Sequence, residues 1–191
     1  MAEEGRRGLA FANAGALGDW LAEHHDIRGE LWVRIFKGGS GVPSVTWGDC
    51  VVEAIRFGWI DGQKLPLDEI SFLQRLTPRK PKSNWSARNR EHVEKLIAEG
   101  RMTPAGLATV EAAKADGRWE SAYAGSAAMV IPQDFLEALE SRPAAKAFFD
   151  TLDRKNLYPI YYRLQTAKRP ETRARRMARI LEQLDRGERF H

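Results

Sequence analysis

The spacing of apolar residues changes character once along this chain, and that change limits the possible folds more than any other feature. Up to about residue 117, stretches of two-residue alternation are interleaved with helical patterns. From about residue 133 onward only helical spacing remains. Leu31-Trp-Val-Arg-Ile-Phe-Lys37 reads as a strand, with Leu31, Val33 and Ile35 on one face and Trp32, Arg34 and Phe36 on the other. Ile70-Ser-Phe-Leu-Gln-Arg-Leu76 alternates in the same way, and Trp59-Ile-Asp-Gly62 reads as a short strand entering an Asp-Gly turn. The predicted fold is therefore α+β. An N-terminal helix and a small three-stranded sheet with covering helices occupy residues 1–125, and an all-helical C-terminal module occupies 126–191.

Helix boundaries follow from capping chemistry. Asn13 is placed to accept from the first turn of a helix whose stripe is Leu17, Trp20, Leu21 and His24. Thr46 with Asp49 resembles a capping box for a helix that stops at Gly58, and Thr103-Pro104 opens another that ends at Gly117. Ser86 opens a helix carrying Val93, Leu96 and Ile97. Residues 1–10 read as a lead-in and residues 118–131 as a linker. Four helices are predicted near 133–140, 143–151, 154–167 and 171–186, the last with Ala174, Met177, Leu181 and Leu184 on one face.

Composition narrows the class. A chain of 191 residues, 43% hydrophobic and 29% charged, buries a core of its own and is neither collagen-like nor low-complexity. No apolar run approaches the roughly 20 residues of a membrane helix. Met1 to Arg7 lack a hydrophobic signal core, so the expected location is the cytoplasm. The single cysteine, Cys50, precludes an internal disulfide. The net charge of +4 conceals an asymmetry. Residues 75–101 hold eight Lys/Arg against three Glu, and residues 163–191 hold nine against four acids, leaving the remainder acidic by six. Two basic segments on an acidic protein suggest a polyanionic partner.

Phe57-Gly-Trp-Ile-Asp-Gly62, Gln74-Arg-Leu-Thr-Pro-Arg-Lys-Pro-Lys-Ser-Asn-Trp-Ser86 and Gly100-Arg-Met-Thr-Pro-Ala-Gly106 resemble the YdeI/OmpD-associated proteins. Ala167-Lys-Arg-Pro-Glu-Thr-Arg-Ala-Arg-Arg176 resembles that family's helical module, so the likeness runs from about Phe11 to Arg189. The resemblance implies a bacteriocin-protection protein, of a kind linked to tolerance of cationic antimicrobial peptides and to an outer-membrane porin. It implies no assigned biochemical activity, so there are no catalytic residues to carry over.

The residues themselves point to two candidate binding surfaces. The first is Arg75, Arg79, Lys80, Lys82, Asn84 and Trp85, on a segment that two prolines hold extended. Arg and Lys suit phosphate, and Trp offers a stacking face. The bland reading is a loop of solvated charges whose Trp plugs the core. The second is Lys168, Arg169, Arg173 and Arg176, where a short turn before a basic helix resembles a helix-turn-helix reader. Cations at the end of one helix and Pro170-Glu171 at the start of the next also follow from helix stability alone.

Other motifs carry less. Lys37-Gly-Gly-Ser-Gly41 lacks the Gly-Lys-Ser/Thr ending of a phosphate loop and reads as a glycine turn. His24 and His25 point apart, His92 stands alone and His191 is terminal, so no metal-ligand spacing or cofactor is implied. Cys50 on an apolar helix face reads as a core thiol. The expected function is non-enzymatic binding of a phosphate, nucleotide or nucleic acid. The alternative is an enzyme on a phosphorylated or other anionic small molecule, with the basic loop as anchor and Asp61 as acid or base.

Overall fold

The computed structural model describes residues 7–190 and divides them into two compact units. The first runs to Ser83 and resumes over Asn89–Glu120; the second comprises Asn84–Arg88 and the residues from Ser121 onward. The expected lead-in lies outside the described residues as far as residue 6, as does His191.

The first unit is built on the three anticipated strands plus a fourth. β1 (Leu9–Ala10), which the sequence reading left in the lead-in, runs parallel to β2 (Leu31–Phe36). β3 (Trp59–Pro66) and β4 (Ser71–Pro78) complete the order β1-β2-β4-β3. β2 and β4 are antiparallel with Leu31 opposite Leu76 and Ile35 opposite Phe72. The alternation in β2 is as anticipated: Leu31, Val33 and Ile35 are buried while Trp32, Arg34 and Phe36 are half-buried. The Asp61-Gly62 turn is not formed. β3 absorbs these residues in a register shift between Asp61 and Lys64 and continues to Pro66, because pairing with β4 supplies the backbone partners a turn would have given up.

α1 (Ala14–His24) and α2 (Trp47–Arg56) cover this face of the sheet. Leu17 and Leu21 from α1 and Cys50 and Ala54 from α2 pack with Leu31, Val33, Ile35, Trp59 and Leu76 in one apolar cluster. Asn13 accepts from the Ala16 amide at 3.0 Å, and Thr46 with Asp49 forms the full capping box. Two further helices, α3 (Ala87–Ala98) and α4 (Pro104–Ala115), follow. α4 begins against the end of α2, and that junction depends on two glycines. A side chain at Gly106 would place its Cβ 2.3 Å from the Arg56 carbonyl oxygen. At Gly58, φ +73°, a Cβ would lie 2.9 Å from the Ala105 carbonyl oxygen. Two of the motifs that carry the family resemblance, 57–62 and 100–106, thus meet at a backbone-to-backbone contact that leaves no room for a methyl group.

The second unit is helical, as the periodicity predicts. α5 (Gln133–Glu140), α6 (Pro143–Phe149), α7 (Arg154–Gln165) and α8 (Pro170–Asp185) end within two residues of the expected bounds. Phe135, Leu139, Ile160, Leu164, Ile180, Leu181 and Leu184 form the core, with Met177 against it. Ala174, anticipated on that face, is exposed. The residues read as a linker contain a 3-10 turn over Ser126–Ala128, and Tyr123 pairs with Ser86 in a parallel bridge.

Candidate functional site

The Thr-Pro-Arg-Lys-Pro-Lys segment is less available to a ligand than its composition suggests. The expected extended loop is a tight turn: the Ser83 amide donates to the Lys80 carbonyl at 2.9 Å, with Pro81 and Lys82 at the tip. Lys80 and Lys82 are exposed there. Arg79 is not; it is 8% exposed, and its amide donates to the Gly58 carbonyl at 3.0 Å. Arg118, also buried, donates to the Ser83 carbonyl at 2.9 Å and to Asp116 at 2.7 Å, fixing the turn from beneath. Arg75 stands on the half-buried face of β4, where it pairs with Glu30 at 2.6 Å beside Trp32.

Trp85 corrects the expectation of a stacking face. It is 1% exposed and belongs to the second unit, where its carbonyl accepts from Tyr123 at 3.0 Å. A ring so enclosed has no face for a base. Asn84, beside it, is half-buried. Of the six residues of the first surface, Lys80 and Lys82 remain as exposed cations.

The alternative of a catalytic Asp61 anchored by the basic loop does not gain Arg75 as its anchor. Asp61 lies opposite Leu76 in the register and accepts from the Trp47 indole at 3.1 Å. Arg75, next in line to Leu76, projects from the other face of the sheet. His24 and His25 are engaged with the carbonyls of Trp20 and Leu21 in the helix that carries them. Cys50 is fully buried, and burial above all, then the carboxylates of Asp49 and Asp61, pushes its thiol up to about 12. It is the inert core thiol expected. Among the described residues no group of His, Cys, Asp and Glu is arranged to hold a metal, and no helix is long and apolar enough to cross a membrane.

A cavity in the first unit, of about 310 Å³, contains His92, Lys95 and Arg101 with Asp49, Glu53 and Glu99. Its charges largely satisfy one another. Glu53 is 2% exposed and bonds to Arg56 and Arg101, while Arg101 also holds Glu99 at 2.9 Å. Sequence reasoning had no signal for Glu53, a charged residue on an otherwise apolar helix face.

The second basic segment behaves differently. Lys168 and Arg169 are exposed in the turn before α8. Arg173 is engaged by Asp134 through two hydrogen bonds, one of them 2.9 Å. Arg176 donates to the Arg163 carbonyl at 2.7 Å and to the Thr166 hydroxyl at 3.3 Å, so it caps the end of α7. From that position it lines a half-open groove of about 550 Å³ between α7 and α8. The groove takes Tyr162 and Arg163 from α7 and Thr166 from its C-terminal cap, and Arg176, Arg179 and Gln183 from α8, with Ile180 as its apolar floor. It contains three guanidinium groups and no carboxylate. Arg163 is held over the Phe190 ring at 5.1 Å, and Arg179 has no acidic partner among the described residues. Of these groove cations only Arg176 was singled out from the sequence. The signal for the others was helical spacing: Arg176, Arg179 and Gln183 recur on one side of α8 next to Ile180.

The residues of this groove lie within a segment, 128–187, that matches the model of a family described as bacteriocin-protection, YdeI or OmpD-associated. Residues 9–109 match the model of a family described as a domain of unknown function (DUF8412). No curated protein and no solved structure gives a significant match.

Proposed function

Because this chain belongs to the DUF8412 family through its α+β part and to the YdeI/OmpD-associated, bacteriocin-protection family through its helical module, we propose that it is a non-enzymatic cytoplasmic binder of phosphate-bearing anions serving antimicrobial-stress tolerance. The observation that carries this reading is the α7–α8 groove, where three guanidiniums stand without a carboxylate in the lining. A cation cluster left uncompensated by its own chain raises the local concentration of anions and favours their binding. Arginine suits phosphate because its planar fork donates two parallel hydrogen bonds. Arg176 is already fixed in place by its bonds to α7, so little rotamer freedom is left to lose on binding. In the first unit the exposed pair Lys80 and Lys82 supplies a cationic surface for weaker, non-directional contact.

Binding rather than catalysis is favoured by what lines the groove. It has donors in abundance, but no His, Asp, Glu or Cys to take up or deliver a proton. The test is a thermal-shift screen of the whole protein against pyrophosphate, nucleotides, oligonucleotides and, as a control, an acidic peptide. A ligand held 100-fold above its Kd stabilises by about 2.7 kcal/mol, which a melting curve resolves easily. Phosphate-bearing compounds are expected to raise the melting temperature and the acidic peptide to leave it unchanged. If no phosphate compound moves the transition, the reading is lost.

A further inference from the structure

The charge along α8 is not a continuous track, and this bounds what the groove can take. Arg173, before the groove, is neutralised by Asp134, and Arg186, beyond it, by Glu188 at 2.7 Å. Asp185 is likewise committed, to Arg142 at 2.6 Å. Lys168, Arg169 and Arg175 are exposed just before it, but the groove itself runs only from Arg176 to Gln183, two turns or about 10 Å of helix. A polynucleotide needs cations repeated along its backbone. A patch this short matches one small ligand instead, and about 550 Å³ lies within the range of small-molecule pockets.

Its charge and its aromatic edge narrow the class further. Three guanidiniums match a diphosphate, which has roughly two charges on its terminal phosphate and one more on the inner. At one end of the groove stands Tyr162, 37% exposed, with its ring held edge-to-face against Tyr123 at 4.9 Å. A fixed, partly exposed ring beside a cation cluster offers one apolar face for a planar group.

Resting on the anion-binding reading above, we infer that the α7–α8 groove is a nucleotide site. It takes a nucleoside diphosphate, with the phosphates between Arg163, Arg176 and Arg179 and the base against Tyr162. The Thr166 hydroxyl already donates to the Tyr162 carbonyl and the Gln183 side-chain amide to the Arg189 carbonyl, so toward the sugar these two side chains offer their oxygens as acceptors.

Calorimetric titration of the full chain with ADP, pyrophosphate, adenosine and a single-stranded oligonucleotide tests this. Two variants are informative, Arg179→Ala and Tyr162→Leu, with Tyr162→Phe as the conservative partner and thermal unfolding as a check on fold. ADP is expected to bind more tightly than pyrophosphate or adenosine. Arg179→Ala should weaken ADP and pyrophosphate alike by about tenfold or more, since a charge-assisted hydrogen bond to phosphate is lost. Tyr162→Leu should remove the advantage of ADP over pyrophosphate, about fivefold or more, and Tyr162→Phe should retain it. Equal affinity for ADP and pyrophosphate, both sensitive to Arg179, would overturn the nucleotide assignment and leave the anion reading standing. An oligonucleotide that binds more tightly than ADP through Arg179 would do the same, in favour of a strand binder. If Arg179→Ala binds ADP and pyrophosphate like the wild type, the groove is not an anion site and both conclusions fall.

Discussion

The hydroxyl of Thr103 donates to the backbone carbonyl of Arg56 at 2.6 Å, joining the last turn of α2 to the first residues before α4. The same hydroxyl accepts from the Gly106 amide at 3.2 Å, so one side chain both caps α4 and ties it to α2. Gly106 is the residue that lets the two backbones meet. Gly106→Ala would drive a methyl group into the Arg56 carbonyl, which is backbone and cannot swing aside. Its expected cost is about 1–3 kcal/mol. Gly125→Ala, with nothing within 4 Å, should stay within about 0.5 kcal/mol of the wild type. Urea midpoints for the two variants decide the matter; equal midpoints would mean the junction yields.

Trp85 sits on a segment that composition marks as a ligand surface, yet its ring is enclosed in the second unit. Trp85→Ala should lower stability by about 3–5 kcal/mol, the cost of emptying a large aromatic site. Any phosphate binding that survives in the folded fraction should keep its salt dependence. A variant with a wild-type melting temperature and weakened nucleotide binding would instead restore the stacking role to this ring.

The contrast between these two positions shows what was legible in the sequence. Caps at Asn13, Thr46 and Thr103, and stops at Gly58 and Gly117, are local chemistry, and the helices they bound lie where periodicity places them. Strand faces were legible for the same reason, because alternation in β2 is a property of six consecutive residues. What failed depended on distant partners. Arg79 is buried because residues 58 and 79 pair through the backbone, and Asp61-Gly62 becomes a bulge because β4 lies alongside. The groove was half legible. Arg176 was named, but Arg163 comes from another helix and Arg173 is cancelled by Asp134, 39 residues earlier. Charge counted along a chain cannot tell a paired arginine from a free one.

Glu53 offers a direct test of a buried charge in this fold. Its carboxylate is 2% exposed and bonds to both Arg56 and Arg101. Arg56 is the more enclosed partner, at 24% against 44% side-chain exposure. Arg56→Met should cost about 3 kcal/mol, because a desolvated carboxylate is left with one solvent-facing partner. Arg101→Met should cost about 1 kcal/mol, as expected for a pair whose cation is largely hydrated. Chemical denaturation of both variants measures the difference, and equal losses would show that the two arginines share the charge evenly.

Cys50 gives the clearest pH dependence. Burial in the core between α2 and the sheet, helped by Asp49 and Asp61, raises its thiol from 9.0 to about 12. An unfolded chain loses this proton near the ordinary value, whereas the folded chain must keep it. Below about pH 9 both states hold the proton and the neutral, buried thiol contributes its full stability. As pH rises from 9 toward 12 the unfolded state is increasingly favoured, by about 1.4 kcal/mol for each pH unit. Cys50→Ala removes that slope while also losing some packing. The difference in unfolding free energy between wild type and variant should therefore be constant from pH 7 to 9 and shrink above pH 9. At pH 8 a thiol-specific reagent should modify the native protein only at the rate of unfolding, and the denatured protein at once. Fast modification of the native state at pH 8 would place Cys50 within reach of solvent and contradict its role as a core residue.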